Sequence, residues 1–387
     1  MKGHLRERGK GNWWAVVDVG RDPETGKRRQ KWHKLTATGK RQAQQELAKL
    51  LADLAGGTYI EPGKLTVGKY LERWLADYAK PNVAAKTCER YEGIVRKHLI
   101  PNLGSYPISK LQPLHVQEYY SRALQNGRLD KRPGNLSPTT VLHHHRVLKE
   151  ALGQAVKWQI IPRNPADAVE PPRPARKEMR VLTAEQVDRL LETAKGTPLY
   201  IPILLAVATG MRRGEILALR WQDVDLDAGA LSVCRSLEQT KAGLSFKEPK
   251  TARSRRVVVL PGFAVEALRR HRVQQTEHRL QFGPAYQDHG LVCALDHGAP
   301  AAYRLSSDWP LLLEKAGLPH VRFHDLRHSH ATMLLAQGVH PKIVSERLGH
   351  SAIGITLDTY SHVLPTMQEE AAAKLDNLLR AAGNGHL

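Results

Sequence analysis

Two stretches of this chain cannot sit inside a regular element, and they decide how many bodies it can form. Residues 55–64 carry Gly56, Gly57, Pro62 and Gly63, and residues 163–177 carry Pro165, Pro171, Pro172 and Pro174 among charged residues. Glycine weakens a helix or strand interior, and proline lacks the amide that either ladder needs. The first stretch reads as a linker. The second reads as an extended spacer with stiff, polyproline-like character. Together they divide the 387 residues into three candidate domains, 1–62, 63–173 and 174–387.

Each piece has its own pattern. In the first, residues 13–19 read as a strand, 22–27 as a Pro/Gly turn and 28–35 as a second strand, with a third over 3–8. Leu47, Leu50, Leu51 and Leu54 then recur at helical spacing over 40–54. The spacing predicts a small sheet with one helix. The middle piece is helical almost throughout. Thr66 opens a helix to Trp74, and a second runs over 85–98 and stops at Ile100-Pro101-Asn102-Leu103-Gly104, where proline cannot continue a helix. Gln112-Pro113 opens a third to Asn126, and Ser137-Pro138 a fourth to Trp158. Four such helices make a compact bundle. In the last piece Thr183-Ala184-Glu185-Gln186 has the form of a capping box, strands are expected at 231–237 and 256–260, and helices dominate afterwards. The fold class expected is multidomain and mainly α with small β-sheets. A small β-sheet plus helix comes first, then a helical bundle, then a mixed α+β domain.

Charge narrows the function. Lysine and arginine outnumber acidic residues by 58 to 38, a formal net charge of +20. A surplus of that size points to a polyanionic partner, most simply nucleic acid. Lys27, Arg28, Arg29, Lys31 and Lys34 crowd one strand beside Trp32, a composition suited to a DNA groove. Cys88, Cys234 and Cys293 form no paired framework and suit a reducing compartment. Residues 1–10 lack the apolar core of a signal peptide. The apolar run 199–209 is about half of what spans a bilayer. A cytoplasmic protein with no membrane contact is expected.

Four short segments of the last piece hold the chemistry. They are Thr209-Gly210-Met211-Arg212-Arg213-Gly214-Glu215, Pro249-Lys250-Thr251, His324-Asp325-Leu326-Arg327-His328, and Leu348-Gly349-His350 followed by Thr359-Tyr360. A guanidinium presents a planar fork to phosphate oxygens, so Arg212 and Arg327 together can clamp one phosphodiester. They would stabilise charge on five-coordinate phosphorus without a metal. Lys250 in a flexible turn can donate a proton to a departing oxygen, and His324 and His350 can donate to oxygens or move protons near neutral pH. A tyrosine hydroxyl has a pKa near 10 and needs help to attack. Clustered cations are expected to lower that value for Tyr360. Arg213 competes with Arg212, and Lys241 and Lys247 compete with Lys250. His324 and His328 stand four apart, as two metal ligands would, but no third ligand is signalled. The consecutive His143-His144-His145 point in different directions on a helix and make a poor metal site. No metal or cofactor is expected.

The joint order Arg, Lys, His-x-x-Arg, His, Tyr resembles the catalytic signature of the tyrosine recombinase (phage integrase) family. Residues 1–62 are similar to an arm-type DNA-binding domain, 63–173 to a helical core-binding domain, and 174–387 to the catalytic domain. The resemblance implies that Arg212 and Arg327 hold the scissile phosphate and that Glu215 supports Arg212. Lys250 would protonate the leaving 5′-oxygen, His324 would act in proton transfer, and His350 would donate to the phosphate. Tyr360 would attack to give a 3′-phosphotyrosyl bond. It further implies double-stranded DNA with core and arm sites, a homotetramer on DNA, and an accessory directionality or bending protein. Pro365 and the amphipathic run 366–382 read as a tail helix that packs on a neighbouring subunit or on its own domain. Three rivals remain at this point. A type IB-like topoisomerase would share the chemistry, and a non-catalytic DNA-binding protein would keep the fold but should have lost a catalytic position. A metal-dependent nuclease would need a carboxylate cluster that the sequence does not signal.

Overall fold

The computed structural model describes residues 3–9, 11–21, 28–55, 65–129, 134–175, 179–248, 255–301 and 304–360, with a few positions between 372 and 380. By internal contacts the chain falls into two compact units, Met1–Arg176 and Lys177–Leu387.

The N-terminal strands Gly3–Glu7, Trp13–Arg21 and Arg28–Lys34 form an antiparallel sheet in sequence order. Helix Lys40–Ala55 covers one face, where Leu47 and Leu51 lie against Gly3. Strand residues alternate between faces. The opposite face therefore carries the cross-strand rows Arg6–Trp14–Lys34 and His4–Val16–Trp32. On it the guanidinium carbons of Arg6 and Arg8 lie 5.3 and 4.6 Å from the Trp32 ring centre. Of the basic residues singled out in sequence, Lys34 is exposed opposite Trp14. Arg28, Arg29 and Lys31 lie in the third strand, and Lys27, with the turn 22–27, lies outside the described residues.

The bundle follows the expected helix starts. Thr66 caps helix Val67–Trp74 by accepting from the Lys69 amide, and Ser137 caps Pro138–Lys157 through the Thr140 amide. Its core is unusually aromatic. Trp74 stacks on Tyr91 at 5.6 Å, and the Tyr70 hydroxyl donates to the Ala151 carbonyl. Tyr119 and Tyr120 pair with His144 and His145, which explains two members of the histidine run as satisfied core residues.

Two expectations for this unit are corrected. The second helix does not stop at Ile100-Pro101. It passes through a π-helical turn, Val95–Leu99, and continues over Ile100–Leu103 before Gly104. A matching turn, Leu75–Ala79, precedes Pro81. The wider turn bonds Ile100 to Val95 and Lys80 to Leu75, so the ring that follows meets a ladder already shifted by one residue. The spacer is also shorter than its prolines imply. Pro165–Ala168 forms a 3₁₀ turn capped by Asn164, and Pro165, Ala166 and Val169 are buried against the bundle.

In the second unit helix Tyr200–Thr209 is buried on every side from Ile201 onward, so the longest apolar run is a core helix. No described helix is long and apolar enough to cross a membrane. Around it stand helices Ala184–Ala194, Gly262–Phe282, Arg304–Lys315 and Asp325–Ala336. The capping box forms as expected between Thr183 and Gln186. The strand expected over 231–237 is really two. Ala230–Val233 joins Val224–Asp225 and Arg256–Val259 in one sheet, whereas Ser236–Thr240 pairs with Gly243–Lys247 in a separate hairpin. The break at Cys234-Arg235 lets the chain switch sheets. Leu231, Val233 and Leu237 are all buried, so the hydrophobic run alone does not reveal it.

Candidate active site

Three of the four chemistry-bearing segments lie within the described residues, and they converge because two glycines let the backbone turn. Helix Tyr200–Thr209 ends on Gly210 in the left-handed conformation, φ +66°, where an added Cβ would lie 2.6 Å from Leu348 and 2.7 Å from His330. Helix Pro341–Leu348 ends on Gly349, φ +65°, where a Cβ would press on Arg256 at 3.0 Å. Only glycine meets both demands at low cost. The carbonyls that these turns expose receive the arginines. Arg327, 3% exposed, donates Nη1 to the Gly210 carbonyl and Nη2 to the Leu348 carbonyl, both at 2.7 Å. Arg212 donates Nη2 to the Gly349 carbonyl at 3.3 Å.

Glu215 fixes Arg212 from the other side. One carboxylate oxygen accepts from the Arg212 amide and the other from Arg212 Nη1, each at 2.9 Å. The same carboxylate takes Arg256 Nη2 at 2.8 Å, and both of these side chains are only 6% exposed. Arg256 also donates Nε to the Arg347 carbonyl, and Arg347 in turn donates to the carbonyls of Ala208 and Val259. Burial would push the Glu215 carboxyl up, but Arg256 and Arg212 outweigh it and hold it below its ordinary value.

The histidines and the tyrosine close the pocket. His324 stands at the N-cap of helix Asp325–Ala336 rather than within it. Buried Asp325 ties Arg322 to that first turn through side chain and amide. His350 is held through Nδ1 on Thr356 Oγ1 at 2.8 Å, which leaves its other ring nitrogen for the pocket. Thr356 and Tyr360 share the buried face of helix Ile353–Tyr360. Arg212, His324, Arg327, His328, His350 and Tyr360 line one cavity of 390 Å³.

The electrostatics differ from expectation in one respect. Burial pushes the Tyr360 phenol up to about 12, and Arg327, which acts downward, does not offset it. The expected lowering is therefore overturned, because counting cations takes no account of a tyrosine that is 1% exposed. Burial, followed by the arginines, pulls His350 down to about 4 and also lowers His324. His350 is thus uncharged at neutral pH. Burial, then Arg212, pulls Arg327 down to about 9, still charged at neutral pH. A pocket that holds cations at such cost favours an anion entering it.

Of the residues singled out in sequence, the structure gathers Arg212, Glu215, His324, Arg327, His350 and Tyr360. Lys250 lies outside the described residues, between strands Gly243–Lys247 and Arg256–Val259. Its competitor Lys247 is ion-paired with Glu238. Sequence reasoning misses His328, Arg256 and Arg347. Spacing offers His328 only as a metal ligand, and no spacing pairs Arg256 with Glu215. Among the described residues no three His, Cys, Asp or Glu side chains form a metal-binding group.

Known proteins resemble this chain across most of its length. Residues 180–367 match the phage integrase family, and residues 66–124 match the phage integrase N-terminal SAM-like domain. A tyrosine recombinase XerC-like protein of Caldanaerobacter subterraneus subsp. tengcongensis is 30% identical across 96% of this chain and 97% of its own. The chain belongs to the phage integrase family. Solved integrases share its fold. The Tn1549 transposon integrase in complex with transposon right end DNA superposes with a TM-score of 0.67 at 23% identity, over 81% of this chain and 99% of that one. A lambda integrase tetramer bound to a Holliday junction gives 0.57 at 19% identity, over 92% and 94%.

Proposed function

We propose that this integrase is a site-specific DNA recombinase that integrates or excises a mobile element through a covalent tyrosine intermediate. The observation that carries the reading is the single cavity in which Arg212, Arg327, His324, His350 and the Tyr360 hydroxyl meet. Two guanidiniums line the space, and a phosphodiester is the anion that two planar forks suit. Arg212 and Arg327 hold the non-bridging oxygens of the scissile phosphate. Glu215 keeps Arg212 in place. Tyr360 Oη attacks phosphorus and the bond to the 5′-oxygen breaks. Lys250 gives that oxygen its proton, His324 acts in proton transfer, and His350 donates to the phosphate. The 3′-phosphotyrosyl ester conserves the energy of the broken bond, so a 5′-hydroxyl from a partner duplex can reverse the step without ATP.

The division of labour proposed for the chain follows its three pieces. Residues 1–62 bind arm sites, through Lys27, Arg28, Arg29, Lys31 and Lys34. Residues 63–173 bind the core site, and 174–387 carry the chemistry. The solved lambda integrase tetramer supports a homotetramer on two DNA sites for this chain as well. An accessory bending or directionality protein would set the outcome, and the free thiols of Cys88, Cys234 and Cys293 suit the cytoplasm.

Arg212→Ala tests the reading. Removing one preorganised donor from a developing charge costs about 10²–10³-fold in rate. Phosphotyrosyl formation on a nicked suicide duplex should fall by that factor, while salt-sensitive binding in a gel-shift titration is largely kept. Cleavage at the wild-type rate would remove Arg212 from the clamp. Deleting residues 1–62 should flatten the salt dependence of binding to arm-site DNA and leave core-site cleavage intact. Equal affinity for arm sites with and without those residues would contradict the arm assignment.

A further inference from the structure

We propose that His328, outside the family signature quoted above, is a further catalytic residue, the group that takes the proton from Tyr360 as the phenol attacks. The geometry points to it directly. His328 Nδ1 lies 2.8 Å from Tyr360 Oη, and the two rings are 5.8 Å apart, centre to centre. That hydrogen bond belongs to the nucleophile's own oxygen, the atom that must lose a proton. The proton-transfer role that the signature gives His324 passes in this proposal to His328, whose ring His324 meets edge-on with the ring centres 5.5 Å apart. One turn of helix Asp325–Ala336 thus holds Arg327 on the carbonyls of Gly210 and Leu348 at the wall of the cavity, while its neighbour in sequence addresses the nucleophile.

The charge state fits the role. Burial, with His324 and Arg327 on its own turn and Arg322 beside them, holds His328 down to about 4, against the opposing pull of Asp325. From the neighbouring helix Tyr360 faces it, and from the loop before that helix so does His350. An uncharged imidazole has one bare ring nitrogen, and here Nδ1 is placed to be that acceptor. In the resting enzyme the proton stays on oxygen, because burial holds Tyr360 far above His328. A phosphodiester brought between Arg212 and Arg327 offsets part of the cationic field on the histidine. As Oη bonds to phosphorus its hydrogen becomes strongly acidic. The balanced step is then complete. Oη–P forms, P–O5′ breaks, the phenol proton passes to His328 Nδ1, and the 5′-oxygen receives a proton from Lys250. Rejoining runs the same transfers backwards.

The inference rests on Tyr360 being the nucleophile, and its test separates the two. His328→Asn places an acceptor near the position of Nδ1 but cannot carry the proton away. His328→Phe removes the acceptor and keeps the ring. Both are compared with wild type and Tyr360→Phe on a suicide duplex over a pH series, with melting temperature and gel-shift affinity as checks on folding. General acid–base catalysis contributes about 10²–10⁴-fold. The His328→Asn variant should cleave slower by that range near neutral pH and regain rate as pH rises, because hydroxide then supplies the phenolate. A duplex whose leaving oxygen is replaced by sulfur, which departs without protonation, should rescue Lys250→Ala but not His328→Asn. Wild-type cleavage by His328→Asn, a pH profile parallel to wild type, or rescue by the sulfur duplex would each overturn the proposal. An adduct formed by Tyr360→Phe would instead overturn the assignment of the nucleophile. If His328→Asn fails to melt cooperatively, the wild type decides. Its cleavage on the sulfur duplex must lose rate toward acid pH as His328 gains a proton, and a flat acid limb overturns the role.

Discussion

Exchanging Tyr360 for phenylalanine is expected to abolish the covalent protein–DNA adduct while DNA affinity stays near that of the wild type. The ring packs with Ala331, Leu335, Val344 and Leu348, a small core of its own. Phenylalanine preserves that packing and deletes one oxygen. The structural cost is the hydrogen bond to His328, worth about 1 kcal/mol at a half-buried site. The fold should therefore survive, and Arg212 and Arg327 should still hold phosphate. No other step of the proposed reaction can proceed, since the 5′-oxygen leaves only when Oη arrives. The comparison is made on a nicked duplex that traps the intermediate, with denaturing electrophoresis as the readout.

Glu215→Ala should give the second largest effect, this time on stability as well as activity. The carboxylate is the buried counter-charge of Arg256 and also carries the Arg212 amide and guanidinium. Deleting one partner of a buried pair costs about 3–5 kcal/mol, because the other charge remains in a dry site. For a unit the size of Lys177–Leu387 this corresponds to a fall in melting temperature of roughly 6–20 °C. The pH dependence has a definite sign. The Glu215 carboxyl is lowered on folding, so its contribution is present above the unfolded value near 4 and is lost as pH falls through the lower folded value. The gap between wild type and Glu215→Ala should hence narrow in acid. Cleavage should fall too, since among the described residues Arg212 would keep its bond to the Gly349 carbonyl and lose its carboxylate partner. An unchanged melting curve at neutral pH would contradict the central place given to this pair.

Much of this site is legible in the residues because the chemistry demands particular groups in a particular order. Arg212, Arg327, His324, His350 and Tyr360 stand in four segments whose neighbours, Gly210 and Gly349, already mark sharp turns. What stays hidden is whatever depends on contacts distant in sequence. Arg256 looks like one more cation in a basic strand until Glu215, forty-one positions earlier, is seen beside it. His328 looks like a metal ligand or a bystander until the last turn of helix Ile353–Tyr360 brings the phenol to it. The raised phenol is hidden for the same reason, since burial is a property of the folded chain. In the fold, Pro101 and Pro165 mislead because proline marks a break only when the structure around it does not adapt. One is absorbed by a π-helical turn, the other by a 3₁₀ turn laid on the bundle.

The most direct test of the account is to trap wild-type protein on a nicked duplex carrying its core site, digest the complex, and map the DNA-linked peptide by mass spectrometry. The nucleotide should be found on Tyr360, through the 3′-phosphate, in reactions run with chelator. DNA linked to any other side chain, or cleavage that leaves no linkage and stops with chelator, would contradict it.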